Sequence, residues 1–186
     1  LDVGANVGQF HDVLRDKVLF AGPIVSFEPV GRHVALLRER AGHDPRWHIE
    51  PYALGARDGS LSINVMVADE FSSFLEPDNR RVREFGEMNT PCRTETVAVK
   101  TIDSVLPDLG RRLGFRRPYL KLDTQGFDIE VLEGARDSLG AIPALQTEAS
   151  MIGIYKGMPG YMDTIRYLGA RGFDITGLYP VSRDRS

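Results

Sequence analysis

Four carboxylates stand at the ends of short apolar runs, where an α/β protein binds its ligands: Asp2, Glu28, Asp123 and Glu148. The first belongs to Leu1-Asp2-Val3-Gly4-Ala5-Asn6-Val7-Gly8, which puts glycines after a strand-like run and before a helical one. Glycine lets the backbone turn tightly and come close to a ligand. The helix start behind it presents free N–H groups. The spacing is Gly-x-x-x-Gly, not the Gly-x-Gly-x-x-Gly of dinucleotide enzymes. Asp2 suits a cationic or hydroxyl-bearing ligand better than a pyrophosphate. The plainer reading is a glycine turn that binds nothing.

Glu28 lies in Phe27-Glu28-Pro29, 20 residues after Gly8. An acid at that place in a Rossmann-like unit accepts hydrogen bonds from ribose hydroxyls, and Pro29 discourages continuation of the strand. Asp123 ends the run Tyr119-Leu120-Lys121-Leu122-Asp123. Ligands in open α/β sheets lie outside the carboxyl ends of the strands, so Asp123 is aimed at the same crevice as Asp2 and Glu28. Three readings of Asp123 stand together: it takes a proton from an acceptor, it binds a cofactor, or it caps the following helix. For Asp128 capping is the favoured reading. Glu148 ends the next strand, as a catalytic group or as an acceptor for loop amides.

The elements that must position these groups alternate. Leu1–Val3 reads as the tail of a strand, and Phe10, Val13, Leu14 and Val18 follow at helical spacing. Ile24–Phe27 predicts a strand, Val34, Leu37 and Ala41 a helix, and Trp47–Leu54 a third strand. This is βαβαβ, the pattern of a parallel sheet with helices on both faces. Leu61–Val67 and Thr94–Lys100 alternate apolar and polar residues, as paired strands would. Between them Ala68–Arg93 has no clear period and carries Phe71, Phe74 and Phe85. A connection this long is usually functional, and exposed aromatics on it predict a mobile cover over the site. The α/β rhythm resumes with a short helix over Ile102–Leu109, a strand over Tyr119–Leu122 and a helix through Ile129, Leu132 and Ala135. A strand over Ala144–Thr147, a helix over Met162–Leu168 and a last strand over Phe173–Leu178 complete it.

The chain has 186 residues, enough for one well-packed domain and too few for two ordinary ones. Its formal net charge of −3 gives no electrostatic reason to bind nucleic acid. No apolar run approaches the roughly 18 to 20 residues of a membrane helix, so no membrane partner is expected. Cys92 is the single cysteine, which rules out an internal disulfide and fits a reducing, cytoplasmic setting. No Cys/His cluster has zinc spacing, and no metal site is expected. The chain opens on Leu1 inside a strand, so it is read as a fragment with a missing N-terminal segment.

The blocks LDVGANVG, SFEP, YALGARDGSLSI, FSSF, KTIDSVL and YLKLDTQGFDIEVLEGA together resemble the FkbM family of S-adenosylmethionine-dependent methyltransferases. The resemblance spans nearly the whole chain and implies a single Rossmann-like methyltransferase domain over residues 1–186, truncated at both ends, with a loop insertion at about 68–93. It implies that Asp2, Gly4, Asn6 and Gly8 contact the methionine end of S-adenosylmethionine, that Glu28 holds the ribose, and that Tyr52 and Ala53 lie near adenine. Family members usually carry Glu where this chain has Gln125, which removes a negative charge near the site. The implied reaction is O-methylation of a hydroxyl on a small molecule or sugar, with Asp123 and Glu148 as candidate catalytic groups. Two other functions stand beside it. A cofactor-binding module without turnover is suggested by Gln125, and a nicotinamide-dependent oxidoreductase is disfavoured by the glycine spacing.

Overall fold

The computed structural model describes residues 1–80 and 85–180. Along the chain run β1 (Asp2–Val3), α1 (Gln9–Asp12), β2 (Ile24–Phe27), α2 (Gly31–Ala41), β3 (Trp47–Glu50), β4 (Ala53–Leu54), β5 (Gly59–Met66), β6 (Pro91–Lys100), α3 (Ile102–Leu113), β7 (Tyr119–Leu122), α4 (Asp128–Glu133), β8 (Ala144–Gln146) and α5 (Tyr161–Gly169). α1 runs on into a π-helical turn over Val13–Lys17.

Five strands form a parallel sheet in the order β3-β2-β1-β7-β8. Parallel strands with helical crossovers are buried on both faces, which is why β2, Ile-Val-Ser-Phe, is apolar but for Ser26 and is buried throughout. The core gathers Phe27, Leu120 and Leu122 from this sheet with one stripe of α3, namely Ile102, Val105, Leu106 and Leu109. Those four positions share a helix face by their spacing. Thr101 caps α3 by accepting a bond from the Ser104 N–H, and Gly114 ends it in the left-handed region. α3 therefore runs four residues past the expected Leu109.

A second sheet of order β4-β6-β5 lies beside the first. β5 and β6 pair antiparallel, as their alternation predicts, with a bulge between Val65 and Met66. Val30, Ile63, Val65 and Val97 form its own small core. The expected single strand Trp47–Leu54 is instead two, split between the two sheets. Pro51 lacks an N–H for the ladder, and the Tyr52 N–H turns back onto Glu50 O. The expected last strand, Phe173–Leu178, does not form. Phe173 N–H closes the end of α5 on Leu168 O, and Ile175 and Leu178 stay exposed. An alternating segment becomes a strand only where a partner edge accepts it.

Of the Ala68–Arg93 connection, residues 81–84 lie outside the described residues. The rest is tied down. Ser73 exchanges both backbone bonds with Asn64 on β5, Asp78 N–H reaches Ile154 O, and Lys156 N–H reaches Glu76 O. Phe71 packs on Phe85 and Phe74 on Phe127, so the three aromatics expected outside are partly buried.

The glycine turn fixes how β1 meets β7. Gly4 has φ +76°, and a Cβ there would lie 1.9 Å from the backbone O of Asp123. Gly4→Ala must both strain the left-handed backbone and push β7 away. It is expected to lower unfolding stability by more than about 2 kcal/mol, read from the urea midpoint. An unchanged midpoint would contradict this packing.

Candidate active site

The strand order reverses at β1, with β2 on one side and β7 on the other. Open α/β sheets bind ligands at such a switch point, beyond the carboxyl ends of the strands. A cleft of about 450 Å³ opens there, floored by Val3, Gly4 and Ala5. That volume lies within the range of small-molecule sites.

Beneath the floor runs a buried polar chain. In-register pairing sets Asp2 between Ser26 and Lys121. Trp47 Nε1 donates to Ser26 Oγ at 2.9 Å, and Ser26 Oγ donates to Asp2 Oδ2 at 3.0 Å. Lys121 Nζ sits 3.1 Å from Asp2 Oδ1 and 3.4 Å from Asp123 Oδ2, and donates to Gly4 O at 3.2 Å. Burial lowers the Lys121 pKa, but the two carboxylates outweigh it and hold the ammonium above its ordinary value. Asp2 is fully buried and does not line the cleft, whereas Lys121 does.

Glu28 does line it. Its Oε2 accepts the Asn6 N–H at 2.8 Å and its Oε1 the Val30 N–H at 2.9 Å. Glu28 thus clamps the glycine turn to the start of α2. Asn6 holds φ +48°, a conformation Asn tolerates. His33 lies 3.5 Å from Glu28 Oε1 and 3.0 Å from Asp69 Oδ2, joining this clamp to the loop after β5.

Asp123 and Glu148 face the same cleft. Asp123 accepts from Gln125 Nε2 at 3.0 Å, and about a third of its side chain is exposed. Glu148 has no hydrogen-bond donor among the described residues, and burial, with Asp123 and Asp128 nearby, pushes its pKa up to about 7. Asp128 is enclosed instead. It accepts from the Thr124 N–H at 3.0 Å, from the Thr124 hydroxyl, and from Thr147 Oγ1 at 2.6 Å, so it clamps the start of α4. Ser73, Phe71 and Phe74 form the facing wall.

Of the residues singled out in the sequence, Gly4, Asn6, Glu28, Ala53, Gln125, Asp123 and Glu148 line the cleft, and Asp2, Gly8 and Tyr52 do not. Gly8 is needed for packing: a Cβ there would come within 2.7 Å of Trp47 and 2.9 Å of Arg40. Tyr52 is buried in the core, with Lys100 over its ring. Sequence reasoning passed over Lys121, His33, Ser73 and Tyr155. Lys121 had a signal, because a lysine inside an apolar strand two residues before Asp123 shares that residue's face. Ser73 lies in the FSSF block, while His33 and Tyr155 come from separate elements and carried none.

A parallel sheet of this order, with a glycine turn after its first strand and an acid after its second, defines a Rossmann-like α/β domain. The chain belongs to the FkbM family of methyltransferases, whose methyltransferase FkbM domain matches residues 2–175. The crystal structure of methyltransferase FkbM from Methylobacillus flagellatus KT has a similar fold, with a TM-score of 0.58 at 15% identity, over 91% of this chain and 36% of that one. The chain thus spans about a third of that protein's length. A comparison with curated proteins finds no match. No helix among the described residues is long and apolar enough to cross a membrane.

Removing the Lys121 cation, which borders the cleft, tests the polar chain. Lys121→Met leaves Asp2 buried without its ammonium and is expected to cost about 3–5 kcal/mol of stability. Adding Asp2→Asn should restore much of it, as read by denaturant unfolding of the two single variants and the double. Additive losses would show that the pair is not coupled.

Proposed function

We propose that the chain is an S-adenosylmethionine-dependent methyltransferase that acts on a hydroxyl of a small molecule or sugar. The observation that carries this reading is one cleft that joins a ligand-holding end, Gly4–Asn6 with Glu28, to a desolvated carboxylate, Glu148. The residues fit the cofactor. Each Glu28 oxygen accepts one backbone N–H and keeps lone pairs for the two hydroxyls of a ribose. Ala53 presents only a methyl group to the cleft, which leaves room beside a flat base.

S-adenosylmethionine supplies an already activated methyl group. The protein's own task is to align a hydroxyl and relieve it of a proton. Glu148, with a pKa near 7, suits the second task, because a base is most effective when its pKa lies near the working pH. Asp123, more exposed and pinned by Gln125, accepts a hydrogen bond from the hydroxyl and orients it. Phe71 and Phe74 give the acceptor an apolar wall.

Calorimetry with S-adenosylmethionine and with NADH separates this reading from an oxidoreductase: the first is expected to bind and the second not. S-adenosylhomocysteine formed with a panel of sugar and small-molecule hydroxyls separates an enzyme from a binding module. Glu28→Gln keeps the shape but loses the charge, and should weaken S-adenosylmethionine binding at least about tenfold. Parent-like affinity in the folded variant would remove Glu28 from the cofactor site.

The proton acceptor has its own signature. A base must be ionised to work, so kcat should rise about tenfold per pH unit below about 7 and level off above it. Glu148→Gln should abolish that limb and lower kcat by at least about 10², with S-adenosylmethionine affinity within about threefold of the parent. A variant that keeps both the limb and the rate would assign the proton to another titrating group of the cleft.

A further inference from the structure

Gln125 is engaged at every polar atom beyond its N–H. Its Nε2 donates to Asp123 Oδ1 at 3.0 Å, its Oε1 lies 3.1 Å from Tyr155 Oη, and its backbone O accepts from Ser73 Oγ at 2.8 Å. Tyr155 Oη has one hydrogen, which it shares between Phe71 O at 2.7 Å and Gln125 Oε1. Tyr155 and Ser73 are only 3% and 1% exposed, so bulk water does not compete for the bonds that these two residues make. The Gln125 backbone is left-handed, with φ +52°.

We propose that Gln125 is a positioning residue that pins Asp123 at the acceptor end of the cleft and ties it to the Phe71–Phe74 wall. This rests on the reading of Asp123 as the group that orients the acceptor hydroxyl. A side-chain amide has a donor end and an acceptor end. Here the donor end meets a carboxylate and the acceptor end a phenol. A carboxylate at this place has only acceptors, and would face Asp123 oxygen to oxygen until one of the two took a proton. Methionine would fill the space and leave Asp123 without its donor.

The charged and titratable groups around Asp123 are Lys121 on β7, Asp2 beneath it, Asp128 on α4, Glu148 after β8, and Tyr155. Lys121 is the one cation in that set, and it already faces two carboxylates. A further acid at 125 therefore has no free counter-charge in that set and must show in how the cluster titrates.

The experiment is a carbon-13 NMR titration of the side-chain carboxyls in the protein without ligands, for the parent, Gln125→Glu and Gln125→Met. In Gln125→Glu the Asp123 step is expected to move up by at least about one pH unit. In Gln125→Met it should move up by a smaller amount, because a donor to the ionised form is lost without added charge. An Asp123 step within about 0.3 pH units of the parent in Gln125→Glu overturns the proposal. If that variant does not fold, a parent-like step in Gln125→Met overturns it equally. Calorimetry with S-adenosylmethionine on the same samples keeps the two readings apart. A parent that binds none overturns the methyltransferase reading, whereas a flat titration in a chain that binds it overturns only the role of Gln125.

Discussion

The buried contact between Asp2 and Lys121 is the constraint on which the cleft depends. Two charges taken out of water cost several kcal/mol each before their attraction offsets that loss. The pair is tolerated because parallel register sets Asp2 directly opposite Lys121, because Ser26 donates to Asp2 and Gly4 O accepts from Lys121, and because the Asp123 carboxylate lies 3.4 Å from the ammonium. A one-residue slip between β1 and β7 would turn the two side chains to opposite faces. The pair therefore makes the wrong register expensive at the very strands between which the cleft opens.

That register has consequences on both sides. With β1 and β7 locked, Gly4 lies against the Asp123 carbonyl so closely that no side chain fits between them. Asp123 N–H in turn bonds Val3 O. The glycine turn and the Asp123 carboxylate are thus parts of one rigid junction. The second sheet supplies what the first cannot. β5 hands Asn64 to Ser73, and Ser73 reaches Gln125, so the wall opposite the junction is built from a distant stretch of chain.

Most of the fold was legible in the sequence, because each parallel strand is a short apolar run and each crossover helix carries an apolar stripe. The strands that failed did so for local reasons. Pro51 broke one run into two strands of different sheets, and Phe173–Leu178 alternates correctly yet has no partner edge. The carboxylates at strand ends were legible too, since topology alone aims them at one crevice. Their roles were not. Asp2 reads like a ligand contact but is spent on Lys121, which lies 119 residues further along the chain. Phe71 and Phe74 read as an exposed cover and are a packed wall, because their partners Phe85 and Phe127 are found only by folding.

Surroundings, rather than residue type, divide the labour among these acids. Asp2 faces an ammonium and Asp128 is closed in by two threonines, so both are committed to structure. Glu28 accepts two backbone amides and still borders the cleft, which leaves it able to hold a polar ligand without moving. Asp123 has one amide donor and a lysine beyond good hydrogen-bond range, so it is oriented yet open. Glu148 has neither a donor among the described residues nor full access to water, and its proton is held up to about pH 7. A carboxylate that has been denied partners is poorly placed to stabilise a fold. It is well placed to exchange a proton with whatever enters the cleft.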